Sequence, residues 1–181
     1  MERDLDIALV RLAQGGSDVA FERLARRWDA RLAAHAWRLL GDREAAREAV
    51  QSAWLEIARG LKSLRDPVAF PAWVFRITTR QAAVVIRTRQ AERRLAQGLA
   101  AAAATEPQTT PPPQPDEAAT LHAAIRNLPP DQRAALALHH FEALSVAEVA
   151  VALDAPVGTI KTRLMHARRK LRAALEGETH D

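Results

Sequence analysis

Leu144-Ser145-Val146-Ala147-Glu148-Val149-Ala150-Val151-Ala152-Leu153, then Asp154-Ala155, then Pro156-Val157-Gly158-Thr159-Ile160-Lys161-Thr162-Arg163-Leu164, reads as two helices joined by a tight turn. Ser145 and Glu148 have capping-box spacing: the hydroxyl takes a backbone N–H while the carboxylate reaches back to the cap. This predicts a short helix over 145–153. Pro156 suits the first turn of a second helix, predicted to run to about Leu175. In it, Val157, Ile160, Leu164, Ala167 and Leu171 recur at three-four spacing and form the expected inward face. The opposite face holds Lys161, Thr162, Met165, His166, Arg168 and Arg169. Ala147, Val149 and Ala150 let the two helices approach closely. Residues 156–172 carry Lys161, Arg163, Arg168, Arg169, Lys170 and Arg172 with no acid among them. A basic helix of this kind fits the major groove, where Arg and Lys read guanine edges. A plain α-hairpin with a solvated basic face has the same spacing, so the pattern alone leaves both readings open.

Upstream of this unit the chain divides. Of ten prolines, Pro107, Pro111, Pro112, Pro113 and Pro115 fall within residues 98–119. Proline blocks helix and sheet ladders, and no apolar pattern here builds a core, so 98–119 is expected to be a semi-stiff linker. It separates 1–97 from 120–181. The first part reads as four helices. Leu5, Leu9 and Leu12 mark the expected buried face of 4–14, and Gly15-Gly16 stops it. Ser17 or Asp18 caps a second helix to about Leu40, with Phe21, Leu24, Trp28, Leu32 and Trp37 at helical spacing. Asp42 caps a third, in which Ala46, Ala49, Val50, Ala53, Trp54, Ile57 and Leu61 repeat. Asp66-Pro67 opens a fourth through Phe70, Trp73, Val74 and Ile77 to Ile86. In the second part, helices are expected over 117–127 and from Pro130 to Phe141, ahead of the two already described. The fold class is therefore all-α, in two small helical domains.

Charge is uneven. Residues 1–97 hold 18 Lys and Arg against 12 Asp and Glu, a surplus of 6. Residues 98–119 hold three acids and no base, whereas 120–181 hold 8 bases and 7 acids. The local basic stretches point to a polyanion partner more than the net charge of +4 does. With no cysteine, disulfides, thiol nucleophiles and cysteine-based zinc modules are excluded. No phosphate-cradling glycine loop and no Ser-His-Asp arrangement is present, so neither an enzyme nor a cofactor is expected. Adjacent side chains on a helix point apart, so His139-His140 is not expected to bind metal. All four tryptophans sit at apolar helical positions and are expected in the core, with Trp54 best placed to meet a partner. The charged start, Met1-Glu2-Arg3-Asp4, leads into no long apolar run; no signal peptide or membrane span is expected, and the location is expected to be cytoplasmic.

The Leu144–Ala150 and Pro156–Leu164 strings resemble region 4 of the extracytoplasmic-function sigma factors, and Leu128-Pro129-Pro130-Asp131-Gln132-Arg133 is similar to the entry into that domain. Phe70-Pro71-Ala72-Trp73-Val74-Phe75-Arg76-Ile77 is similar to the end of their region 2. Gly41 to Ala45, with Val50 to Trp54, is similar to that region's polymerase-binding helix. The resemblance implies region 2 over 1–97 and region 4 over 120–181. It implies that Lys161, Thr162, Arg163, Met165, His166, Arg168 and Arg169 meet the −35 promoter element while their domain docks on the polymerase flap. It implies that Glu48, Gln51, Trp54 and Leu55 bind the clamp of core RNA polymerase. Arg76, Arg80, Arg87 and Arg89 would meet phosphates near the −10 element; no acid lies between Pro67 and Ala91. The partners implied are core polymerase, promoter DNA and an anti-sigma factor. Family members carry more acids where this chain has Ala46-Arg47-Glu48-Ala49, and often Asn or Asp near Arg80 and Val84, so no base-specific role passes to those two. A stand-alone helix-turn-helix regulator, and a sigma-like protein acting by protein contact alone, are the alternatives.

Overall fold

The computed structural model describes residues 2–100 and 117–176, all the regular structure of which is helical. The elements are α1 (Glu2–Gln14), α2 (Asp18–Leu40), α3 (Arg43–Gly60), α4 (Phe70–Ala100), α5 (Glu117–Arg126), α6 (Pro130–Leu136), α7 (Val146–Ala152) and α8 (Val157–Glu176). Two 3-10 turns, Leu61–Ser63 and Pro67–Ala69, join α3 to α4. Most of the expected linker, residues 101–116, lies outside the described residues.

Local chemistry sets the helix ends. Ser17 Oγ accepts from the Ala20 amide at 3.2 Å and starts α2. Gly41, at φ 69°, ends it and donates its N–H to the Trp37 carbonyl at 2.7 Å. Asp42 then caps α3 through the Ala45 amide at 2.7 Å. The Ser145–Glu148 capping box is formed in both directions. Asp66-Pro67 opens a 3-10 turn rather than α4 itself, which begins at Phe70.

Helices α1–α4 enclose an aromatic core. Trp28 meets Phe70 edge-on at 5.3 Å and Phe75 at 5.8 Å, with Leu24, Leu32, Ile57 and Val74 buried around them. Gln14 donates to the Leu61 and Leu64 carbonyls and ties the end of α1 to the first 3-10 turn. The face of α1 differs from expectation. Leu5 and Leu12 are exposed, and Asp6, Leu9, Val10 and Ala13 are buried. The helix is turned so that Asp6 receives Arg27 of α2 at 3.0 Å. Of the tryptophans, Trp28 is in the core, Trp54 and Trp73 are half-buried, and Trp37 is exposed.

The second segment has little core of its own. Ile125, Leu128, Leu136 and Ala167 form a small cluster backed by Leu171. Most of its other buried residues, among them Leu138, Leu144, Val149, Ile160 and Leu164, are continuous with the core of the first segment. Helix α7 packs on α4, and α6 touches α2. The helix expected to run from Pro130 to Phe141 is α only to Leu136; a wider π turn covers Ala137–Phe141. Val157, expected inward, is exposed because α8 seats on Ile160, Leu164 and Ala167 instead. Among the described residues, no helix is long and apolar enough to cross a membrane.

Candidate nucleic-acid interface

Helix α8 is held from below and open above. Ile160, Leu164 and Ala167 are buried against α6 and α7, so the helix cannot roll without exposing them. Lys161, Thr162, Met165, Arg168 and Arg169 consequently stand exposed together, with His166 half-buried beside them. Thr162 returns its hydroxyl to the Gly158 carbonyl at 3.1 Å. Arg168 donates to His140 Nε2 at 3.2 Å. Burial, then Arg168 and His139, pushes the His140 pKa down. The rings of His139 and His140 are 4.9 Å apart and in edge contact, not pointing away from each other as adjacency suggests. His139 Nδ1 is instead 2.8 Å from the Leu144 carbonyl. Among the described residues, Lys161, Arg168 and Arg169 have no carboxylate partner. Arg163 is different: it leans off this face and pairs with Asp131 of α6 at 2.6 Å.

The arginines of α4 are less available. Arg76 lies 3.3 Å from Asp154, in the turn between α7 and α8. Arg80 pairs with Glu56 of α3. Arg89 meets Asp42 at 3.2 Å. The Ala45 amide and Arg89 together hold the Asp42 carboxyl below its usual range. Arg87 is exposed and, among the described residues, has no carboxylate partner. A cavity of about 390 Å³ opens between α4 and the second segment, with Arg76, Arg80, Arg133 and Arg163 on its walls.

The third set of side chains lies on α3 of the first segment. Glu48, Gln51 and Leu55 are exposed on α3, and Trp54 is half-buried between α3 and α2. Trp54 Nε1 donates to Asp29 at 2.9 Å, and Phe21 meets its ring edge-on at 6.0 Å. A groove of about 410 Å³ runs beside it, floored by Ala33, Ala34, Ala46 and Val50 and flanked by Trp37. Sequence reasoning reaches only the α3 wall. The α2 wall, with Asp29 and Trp37, escapes it because Trp37 shares the helical spacing of core residues; the Gly41 stop four residues later is the one hint that it lies near a surface end.

Two family models match this chain. Sigma-70 region 2 covers residues 24–92, and sigma-70 region 4 covers residues 118–171. The RNA polymerase sigma-H factor of Pseudomonas aeruginosa is 28% identical over 97% of this chain and 96% of its own. The sigma-E factor of Escherichia coli K12 is 27% identical over 94% of each chain. Among solved structures, CnrH in complex with the cytosolic domain of CnrY aligns at TM-score 0.72 and 25% identity, covering 96% of this chain and 98% of that one. The sigma factor RpoE in complex with the anti-sigma factor NepR, from Bartonella quintana, shares the fold at TM-score 0.70 and 24% identity, covering 86% and 96%. Both halves match in order, and these relatives match over 94% or more of each chain: the chain belongs to the sigma-70 family, as an RNA polymerase sigma factor of the extracytoplasmic-function type.

Proposed function

We propose that this sigma factor reads the −35 element with Lys161, Thr162, Met165, His166, Arg168 and Arg169 of α8. The observation that carries this is the seating of α8: a buried apolar face fixes the helix, and the opposed face presents basic side chains that no acid pairs among the described residues. Arg163 serves to hold α8 to α6 through Asp131 in this arrangement. Core polymerase takes the α2–α3 face, with Glu48, Gln51, Trp54 and Leu55 at its centre. Arg76, Arg80, Arg87 and Arg89 of α4 meet backbone phosphates near the −10 element, which requires Arg76, Arg80 and Arg89 to leave Asp154, Glu56 and Asp42. The domains are 1–97 and 120–181, with 98–119 between them. The protein works by binding, with no catalytic step or cofactor of its own, in the cytoplasm where its polymerase is. It is held in check by an anti-sigma partner; the solved neighbours bound to NepR and to CnrY support that expectation.

Transcription with purified components tests this reading. Core polymerase plus this chain should give promoter-specific transcripts from a genomic template, and neither component alone should. No specific transcript from any template would sink it. Gel shifts without polymerase separate it from a stand-alone regulator: tight, specific binding by the free chain would favour the latter.

A further inference from the structure

The side of α8 turned farthest from the rest of the protein is not its most basic side. Ile160, Leu164, Ala167 and Leu171 recur at i, i+4, i+7 and i+11 and hold the helix to the elements beneath it. Two residues before each of them, about 200° round the helix, stand Gly158, Thr162, Met165 and Arg169. All four are exposed. The crest offered to a DNA groove is thus small or apolar for two turns and becomes cationic only at Arg169. Lys161 and Arg168 lie along one flank of it.

Met165 is 57% exposed. A single apolar side chain on a surface is ordinary. This one stands at the middle of the crest, with cations at i−4, i+3 and i+4, namely Lys161, Arg168 and Arg169. Ahead of it the crest is bare: nothing lies within 4 Å of where a β-carbon on Gly158 would stand.

The chemistry left to this crest is narrow. Thr162 gives its hydroxyl proton to the Gly158 carbonyl at 3.1 Å, so that donor is taken within the helix. Gly158 has no side chain, and methionine has neither an N–H nor an O–H. In the major groove, guanine shows two acceptors, adenine an acceptor and a donor, cytosine a donor, and thymine an acceptor and a methyl group. Set against guanine, adenine or cytosine, the thioether would take water from a polar edge and return no hydrogen bond. Set against thymine, it covers a methyl group. Methionine suits that contact, being unbranched, adaptable and polarizable.

We propose that Met165, with Thr162 one turn before it, reads the 5-methyl group of a thymine in the −35 element. It sets specificity at that base pair, while Lys161, Arg168 and Arg169 take guanine edges or phosphates around it. This deepens the −35 reading proposed above and rests on it.

Deoxyuridine tests it, because it pairs with adenine as thymine does and lacks only the methyl group. A promoter that the holoenzyme transcribes from a genomic template is remade with each −35 thymine, on either strand, replaced in turn by deoxyuridine. Binding of the holoenzyme to each duplex is then measured. For the wild type, replacement at one position should weaken binding about fourfold, the worth of one buried methyl. Met165→Ala should bind the thymine and uracil duplexes equally, at the level of the wild type on uracil. Met165→Leu keeps an apolar tip of similar volume and should keep a uracil penalty of about two- to fourfold. Lys161→Ala should weaken both duplexes and leave the penalty intact. The side chain at 165 is exposed, so the melting temperatures of the Met165 variants should match that of the wild type. A wild type indifferent to uracil at every −35 position would overturn the assignment. So would a Met165→Ala protein that keeps the full penalty. A holoenzyme that transcribes from no promoter would instead overturn the function proposed above, and this assignment with it.

Discussion

Two arginine-rich helices, α4 and α8, meet opposite fates in one molecule. On α4, Arg76, Arg80 and Arg89 each face a carboxylate of this same chain. On α8, Lys161, Arg168 and Arg169 face solvent, and the base that is paired, Arg163, points off the exposed face. Basic composition is thus no guide to which helix is ready for a polyanion. What separates them is the supply of acids within reach: α4 is flanked by α3 and by the α7–α8 turn, both bearing Asp or Glu, whereas among the described residues the outer side of α8 has no neighbouring element. A free base gains a phosphate at little cost, but a paired base must first break its partner's contact.

The largest expected effect comes from removing the seat under α8. Leu164 is 3% exposed, between α8 and the elements beneath. Leu164→Ala should cost about 2–5 kcal/mol, read as a lower denaturation midpoint. A loss under about 1 kcal/mol would mean that α8 is not held by its apolar face, and the comparison would fail at its root. Next, Lys161→Ala in the holoenzyme should cost about 1–3 kcal/mol of −35 affinity if it reads a base, or about one unit of salt slope if it meets phosphate. Promoter binding unchanged in both respects would remove Lys161 from the interface.

The paired side also holds a buried histidine. His35 sits between α2 and α4, 2.8 Å from the Thr79 hydroxyl. Burial, and then the nearby charge of Arg38, lowers its pKa from 6.5 to about 3. The folded state therefore holds His35 neutral while the unfolded chain protonates it below 6.5. Its contribution is complete above pH 6.5 and is lost as pH falls from there toward 3, at up to about 1.4 kcal/mol per pH unit. Carboxylates add their own slope in acid, so the measurement is a difference: the stability of His35→Gln should fall less steeply between pH 6 and 4 than that of wild type. Parallel curves would show that His35 is not held neutral.

A smaller effect compares the arginines directly. In the free chain binding single-stranded DNA, Arg87→Ala should lower the salt slope by about 0.7, the value of one phosphate contact, and Arg76→Ala by less, because Asp154 already neutralises it. Equal slopes for the two variants would erase the distinction drawn between paired and open bases.

Much of this was legible in the sequence. The capping box, the Asp42 and Ser17 caps, the eight helices and the inward Ile160–Leu164–Ala167 face all follow from local spacing, because each depends on residues within a turn or two of one another. The open face of α8 follows for the same reason. The α4 face does not. Arg76 and Asp154 are far apart in the chain, as are Arg31 and Glu142, which pair at 3.1 Å, and no local pattern ties them. The face of α1 departs from its leucine pattern on similar grounds. Leucine spacing favours Leu5 and Leu12, but buried Asp6 turns inward to meet Arg27, and the value of such a pair is set by a partner on another helix. Val157 and Trp37 show the limit of periodicity at helix ends, where the core no longer covers the stripe.

The docking side also carries backbone strain that the body of α8 lacks. Ala143 has φ 54° and Asp154 has φ 49°. The left-handed region costs a β-carbon-bearing residue about 1–2 kcal/mol, eased for Asp by local hydrogen bonding. Ala143 is exposed, so its methyl contributes little packing that glycine would lose. Glycine removes the strain but adds about 0.4–1 kcal/mol of unfolded-chain entropy. The strain outweighs the entropy, and Ala143→Gly should stabilise the protein by about 0.5 kcal/mol, or about 1–2 °C in Tm. Asp154→Gly should not, because aspartate tolerates this conformation better and its carboxylate pairs with Arg76. A lower Tm for Ala143→Gly would mean that the alanine stiffens the turn presenting Glu142 by more than it strains it, and that the docked side, unlike α8, owes its shape to backbone restriction as well as to charge.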